Sequence, residues 1–248
     1  MSIHPPTIAT SEYIERLRNK YTFTCDSPED SSWYIIAAVA FSASNRPEEV
    51  AALFTYLVGL PEFQTSETAR RKIARRLREA LFKSGITSGY SRVINALVSL
   101  HEVTPDELKG TTMIREVQSI EEHARIGEDE FHNTYGGTAA STQKLLDDIY
   151  PDLGFFSNTI AYGLVYTTSD STQSIPTLTP VEMSYVLVTS LISVDTPRQA
   201  AWHLDGARRR GATIEEVEKV RKMAMEVAGR CGVVWRDGVP NVNKGDLT

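Results

Sequence analysis

The chain has 248 residues, of which 41% are hydrophobic and 23% are charged, and its formal net charge is -6. This size and composition predict a globular protein with one large domain or two small ones. The acidic balance disfavours a nucleic-acid-binding scaffold. Cys25 and Cys231 are far apart in sequence, which excludes a disulfide framework or a cysteine zinc knuckle and favours a reducing compartment.

No segment has the pattern of a membrane anchor or a secretory signal. The longest apolar run, at about residues 185–194, is much shorter than the ~20 residues that span a bilayer. The N-terminal segment lacks an apolar signal-peptide core and contains Glu12 and Glu15, which is acidic for a transit peptide. We therefore expect a protein without membrane contact and with a cytoplasmic location, while a mitochondrial location stays open.

Helical periodicity dominates the first half of the chain. The pattern predicts a short amphipathic helix at about residues 11–20, an apolar helix at 33–44, a helix that begins at Pro47, a helix at 67–83 that stops at Gly85, and a helix at 90–101. No stretch shows sustained alternation of apolar and polar residues. The sequence therefore predicts an all-α protein with few strands or none.

Four helix starts share one signature, a Thr followed three residues later by Glu or Gln. The pairs are Thr104 with Glu107, Thr179 with Glu182, Thr196 with Gln199, and Thr213 with Glu216. In such a capping box the two side chains bind the free N–H groups of the first turn. We expect Gly211 to end the third of these helices. Residues 167–178 are expected to form a loop, and residues 236–248 a loosely ordered polar tail.

A weak internal repeat indicates duplication. An apolar helix, a second helix and a capped third helix occur around residues 70–110, and the same order recurs around 180–230. We therefore divide the chain into an N-terminal extension (1–30), a diverged helical repeat (31–115), a second helical domain (120–235) and the polar tail (236–248).

Three stretches of the second domain resemble a known family. They are residues 127–136 ahead of residues 150–155, the run Tyr162-Gly163-Leu164-Val165-Tyr166, and His203-Leu204-Asp205-Gly206-Ala207 followed by Gly211 and the helix after Thr213. Together they resemble a carboxymuconolactone decarboxylase-type domain of the alkyl hydroperoxidase D-like superfamily, in a branch similar to fungal members. The resemblance covers less than half of the chain. It implies an alkyl hydroperoxidase D-like helical bundle, with the first repeat as a diverged copy in which the His position falls near Ile94 or Asn95.

The chain departs from the peroxidase members of that superfamily at one decisive point. Those members have a C-x-x-C pair shortly before the His, whereas residues 195–200 here contain no cysteine. Peroxide reduction of that kind needs a reactive thiolate and a resolving thiol. The resemblance therefore favours the decarboxylase side.

His203 is the first candidate for a catalytic residue. It lies on or beside the inward stripe of its helix, where the alternative is a structural core histidine. A neutral imidazole can take or give a proton near pH 7, as decarboxylation or isomerisation of an enolisable lactone requires. Glu182 corresponds approximately to the proton-relaying acid of the peroxidase members, although it also completes a capping box. Arg198 could bind a substrate carboxylate or simply be a solvated charge.

Other candidates are weaker. Tyr162, Tyr90 and Trp202 could line a substrate pocket, although aromatic residues on apolar faces usually belong to the core. A basic stretch between Arg70 and Lys83 is interpreted as a solvated or subunit-bridging face rather than a nucleic-acid site, because no aromatic residues are interleaved with it. No group of residues has metal-ligand spacing and no phosphate-binding loop is present, so neither a metal nor a cofactor is expected.

The resulting hypothesis is a cofactor-free lyase or isomerase that acts on a small carboxylated lactone or enolisable acid through His203. The resemblance implies a homo-oligomer whose partner is a small-molecule substrate. One alternative is a non-catalytic binding or assembly protein with a decayed active site. A second alternative, disfavoured by the missing cysteines, is a peroxide-reducing enzyme.

Overall fold

The computed structural model describes residues 6–115, 117–167 and 177–247. Within these ranges the chain forms helices and no strand, so the predicted all-α class is confirmed. The α-helices are α1 (Ser11–Lys20), α2 (Trp33–Ala43), α3 (Pro47–Val58), α4 (Pro61–Gln64), α5 (Glu67–Ser88), α6 (Tyr90–Val103), α7 (Ile120–Tyr135), α8 (Ala139–Ile149), α9 (Pro151–Phe155), α10 (Pro180–Ser193), α11 (Pro197–Arg209) and α12 (Ile214–Arg230), with a π-helix at Phe156–Tyr166. None of these helices combines the length and apolarity that crossing a membrane requires.

Two apolar helices, α2 and α10, form the centre of the bundle. Every residue of α2 is buried, and α10 is buried from Glu182 to Ser193. The two helices pack against each other, and α5 and α12 each contact both of them. Helix α3 packs against α2, and α11 packs against α10. Helix α7 contacts both α11 and the π-helix. A helix that is apolar all round belongs in such a position because it has no face for solvent.

Two of the four expected capping boxes are present. Thr179 with Glu182 begins α10, and Thr213 with Glu216 begins α12, each with both reciprocal hydrogen bonds. The other two predictions are wrong. The hydroxyl of Thr196 donates to the carbonyl of Leu191, and that of Thr104 donates to the carbonyl of Leu100, so each Thr closes the preceding helix instead of capping the next.

The end of α5 differs from the prediction. The helix continues through Gly85 and ends before Gly89, whose φ of 93° only glycine adopts readily. Gly85 allows the ring of Tyr90 to pack closely on α5, since a Cβ there would lie 2.4 Å from that ring. Gly211, with a φ of 103°, does end the α11 segment as expected.

The helix corner after α2 is repeated after α10. Asn45 and Asp195 both have a φ of 56°, a left-handed conformation that Asn and Asp tolerate better than most residues. The next N–H in each corner, of Arg46 and of Thr196, bonds to the carbonyl five residues earlier. A proline then begins α3 and α11 in the same way.

If the predicted duplication holds, this shared corner gives an alignment of its two copies. Pro47 and Pro197 differ by 150 positions (197 − 47), and the same difference pairs Leu53 with His203. In this alignment the counterpart of His203 is Leu53 on α3. The sequence predicted this counterpart near Ile94 or Asn95, which lie on α6. The bounds of the four predicted segments stay a prediction.

The C-terminal segment is held to the bundle, contrary to the expected loose tail. Arg208 donates to the carbonyls of Asn243 and Gly245. Arg221 donates to the carbonyls of Val239 and Pro240. The expected loop at 167–178 lies largely outside the described residues.

Candidate functional site

A buried ion pair joins α5 to the beginning of α10. The guanidinium of Arg76 donates to both carboxylate oxygens of Glu182, at 2.5 and 3.1 Å. Both side chains are almost fully buried, with exposed fractions of 5% and 7%. Such a two-pronged contact is the strong form of an Arg–carboxylate pair.

Every remaining side of this carboxylate is also occupied. Ser32, just before α2, donates its hydroxyl hydrogen to Glu182 at 2.9 Å. The backbone N–H of Thr179 donates to the other oxygen at 3.1 Å, which is the capping-box contact. One acid therefore ties the start of α10 to both α2 and α5.

The guanidinium of Arg76 makes further hydrogen bonds besides those to Glu182. Its Nε donates to the hydroxyl of Tyr34 at 2.6 Å, and that hydroxyl donates to the carbonyl of Glu29. Its Nη2 also donates to the carbonyl of Asp30 at 3.0 Å. Burial alone disfavours the charged guanidinium, but Tyr34 and Glu182 outweigh that effect and raise the pKa of Arg76 above its usual value. Arg76 therefore stays charged.

A cavity of about 810 Å³ opens beside this pair. One wall is a face of α5, with side chains spaced by three and four residues: Thr68, Arg71, Lys72, Arg75 and Arg76. The remaining lining residues come from the first turns of α10 and α12 and the loop around residues 23–32. The rings of Phe23 and Tyr185, with centroids 5.8 Å apart, supply an apolar surface.

His203 lies elsewhere, in an aromatic cluster beneath α11. Its ring meets the ring of Tyr135 edge-on, with centroids 5.9 Å apart. It forms no hydrogen bond with any residue in the described ranges and does not line the cavity. Burial lowers the pKa of His203 to about 4, so the imidazole is neutral at pH 7 and a poor proton carrier.

The other predicted site residues are dispersed. Arg198 is exposed at the start of α11 and stacks on Trp202, with its guanidinium carbon 4.9 Å from the ring centroid. Tyr162 is buried in the aromatic cluster, where its hydroxyl donates to that of Tyr135 at 3.4 Å. Tyr90 is 38% exposed on α6, against Phe82.

The three predicted catalytic residues do not meet. Glu182 begins α10, whereas Arg198 begins the returning helix α11, so they lie near opposite ends of the pair. From Glu182 to the last residue of α10 the helix advances by eleven steps, which span about 16 Å at 1.5 Å per residue. Of the predicted site residues, Glu182 alone is among those that line the cavity.

The sequence interpretation missed Arg76, Tyr34 and Ser32. The basic stretch was interpreted as a solvated or bridging face, yet its cations at positions 71, 72, 75 and 76 form one wall of the cavity. Their spacing was the available signal, because residues three and four apart share a helix face. Among the described residues no group of three His, Cys, Asp or Glu side chains is arranged to hold a metal ion.

Two yeast proteins are similar to this chain along most of its length. Peroxisomal protein 2 of Saccharomyces cerevisiae is 25% identical, over 84% of this chain and 91% of the relative. Peroxisomal protein 2 of Schizosaccharomyces pombe is 28% identical, over 85% of this chain and 92% of the relative. No family model matches the chain.

These relatives correct two predictions. Both are named as peroxisomal proteins, so the prediction of a cytoplasmic or mitochondrial location is wrong. Neither is named as a lyase or isomerase, and on this comparison the predicted cofactor-free lactone chemistry is wrong as well. The isolated position of His203 gives a physical reason: no carboxylate or guanidinium is hydrogen-bonded to it within the described residues.

Replacing Arg76 with Met should strongly destabilise the protein. The change leaves the carboxylate of Glu182 buried without its counterion, which typically costs about 3–5 kcal/mol. The double variant Arg76→Met with Glu182→Gln should recover part of that loss, because the amide carries no charge and can still accept the capping hydrogen bond. Urea denaturation measures both free energies of unfolding, and equal stability of the single and double variants would contradict the assignment.

His203 should make stability depend on pH. In the unfolded chain its pKa is about 6.5, whereas in the folded protein it is about 4. The unfolded state therefore binds the proton first as the pH falls, and stability decreases between pH 6.5 and 4 by roughly 3 kcal/mol. Denaturation curves from pH 7 to 4.5 should show this loss in the wild type, beyond that of the His203→Gln variant. Identical pH dependence of the two proteins would rule out the buried neutral imidazole.

Proposed function

We propose that the chain is a small-molecule-binding protein of the peroxisome, and that its binding site is the cavity beside Arg76 and Glu182. The names of the two yeast relatives support the location. The cavity itself is the observation that supports a binding function. Its volume of about 810 Å³ lies within the ~300–1,000 Å³ of small-molecule sites.

The lining of the cavity supports this function over a packing defect. Ligand sites combine apolar walls with a few polar groups held in place by the protein. Here Phe23 and Tyr185 give the apolar wall, and the hydrogen-bonded pair of Arg76 and Glu182 gives a fixed polar floor. The floor is built from three helices, so its geometry is set before a ligand arrives.

The family resemblance also stays a proposal. We propose that the bundle is of the alkyl hydroperoxidase D-like type and that the chain is a divergent carboxymuconolactone decarboxylase-like protein. The run from His203 to Gly211 and the repeated corner at Asn45 and Asp195 support this relationship. The proposed relationship does not include the lactone chemistry.

A fragment screen by ligand-observed NMR tests the binding site. We expect fragments, charged or neutral, that bind the wild-type protein and bind more weakly to Thr68→Trp, because the indole occupies part of the cavity. Thr65→Trp is the matched control, since Thr65 precedes α5 and does not line the cavity. Absence of any hit, or equal binding by both variants, would overturn the proposal.

Microscopy tests the location. Two fluorescent fusions, one at each end of the chain, are expressed in yeast with a peroxisomal matrix marker, because a tag can mask a targeting signal. At least one fusion should coincide with the marker. Diffuse fluorescence from both fusions would contradict a peroxisomal location.

We further propose that the protein self-associates through α6. Tyr90, Ile94 and Val98 recur at a spacing of four and are 38%, 57% and 51% exposed. Between Arg92 and His101 the helix contains no charged residue. An apolar stripe without charges is the composition of an interface core, and a self-complementary helix face can pair with a second copy of the chain.

Light scattering on the purified protein measures this association. Ile94→Lys should lower the mass from that of an oligomer toward the 27.6 kDa of one chain, because it buries a charge in the interface. Val234→Lys is the control, as this residue is 85% exposed and lies outside α6. A monomeric wild-type protein, or an Ile94→Lys variant with unchanged mass, would refute the proposed interface.

A further inference from the structure

We infer that the cavity binds an amphipathic organic anion: the anionic group contacts the side chains of Arg71 and Lys72, and the apolar body packs on Phe23 and Tyr185. The inference rests on the proposed binding function and specifies its ligand. Four cationic side chains of α5, at positions 71, 72, 75 and 76, lie on one wall of the site.

Four carboxylates also line the cavity, those of Asp26, Asp30, Glu182 and Glu216, and the last three already have partners. Recognition of the anion therefore rests on local contacts with Arg71 and Lys72 rather than on a net positive charge of the lining. Glu182 is held by Arg76, Ser32 and the N–H of Thr179. Glu216 accepts from the N–H of Thr213 in its capping box. Asp30 is paired with Lys72 and accepts from Ser27.

Arg71 is the cation that can most easily turn toward a ligand. Its partner is Glu67, one turn earlier, and the two side chains are 51% and 56% exposed. Exposed pairs at this spacing contribute only a few tenths of a kcal/mol, so a bound anion can replace Glu67 at little cost. Lys72, 42% exposed, lies on the next position of the same wall and can share the anion with Asp30.

Two capped helix N-termini also border the cavity. The first turns of α10 and α12 both contribute lining residues, Glu182 and Glu216. The N-terminus of a helix carries a partial positive charge. The cationic wall of α5 and these two termini thus surround the same space.

Phe23 and Tyr185 provide an apolar surface in the same cavity. The ring of Phe23 is 9% exposed and that of Tyr185 is 3% exposed, and they contact each other at the cavity wall. A small inorganic anion would leave this surface unused. A carboxylate or phosphate monoester attached to an aromatic or aliphatic body matches both sides.

Isothermal titration calorimetry with matched probes tests the inference on the full chain. The probes are 4-phenylbutanoate, its neutral amide 4-phenylbutanamide, 4-phenylbutyl phosphate and acetate. We expect the carboxylate or the phosphate ester to bind at least about tenfold more tightly than the amide, which corresponds to about 1.4 kcal/mol. Acetate should bind far more weakly than 4-phenylbutanoate, and the tighter of the two charged probes identifies the anionic group.

Charge-removing variants locate the contact. Arg71→Gln should weaken binding of the preferred anion several-fold and leave the amide unaffected. Arg70→Gln removes the same charge from the same helix at a position that does not line the cavity, and should change neither affinity. Added salt should weaken binding of the anion alone.

The outcomes separate this inference from the binding function. Equal affinity for the amide and the charged probes would overturn the anion preference, while binding at the cavity would stand. Equal loss in Arg71→Gln and Arg70→Gln would refute the assigned contact. No binding of any probe, together with a fragment screen without hits, would overturn both the ligand class and the binding site.

Discussion

The structure depends on one buried ion pair, between Arg76 and Glu182. A buried charge is tolerated only when its partner and its remaining hydrogen bonds are in place. Here the pair and its partners come from α5, α10, α2 with the residue before it, and the loop around Asp30. The pair therefore requires the two halves of the chain to come together in one arrangement, and it forms the floor of the cavity.

Burial explains why the two central helices are apolar. Helices α2 and α10 are surrounded on every side by other helices, so their sequences carry no polar stripe. The repeated corners after them, at Asn45 and Asp195, set the direction in which α3 and α11 return. The two corners thus share a backbone geometry although the helices that follow differ in side chains, with Leu53 at the position that corresponds to His203.

The helical class and several helix starts could be predicted because they depend on local physics. Pro47 and the pairs Thr179–Glu182 and Thr213–Glu216 act within one turn, and their roles can be seen in a single stretch of sequence. The site could not be predicted in this way, since the partner of Glu182 lies 106 residues away. A basic stretch on a helix usually faces solvent, and only the packing of α5 against α10 shows that Arg76 does not. Gly85 was wrongly predicted to end α5, because its close contact with the ring of Tyr90 on the next helix cannot be seen in the local sequence.

Glu182 has two tasks that most proteins assign to different residues. It completes the first turn of α10 and also serves as the counterion of Arg76 on α5. Initiation of that helix is consequently linked in free energy to the docking of a segment more than one hundred residues earlier. The segments that contain α5 and α10 should then unfold as one cooperative unit.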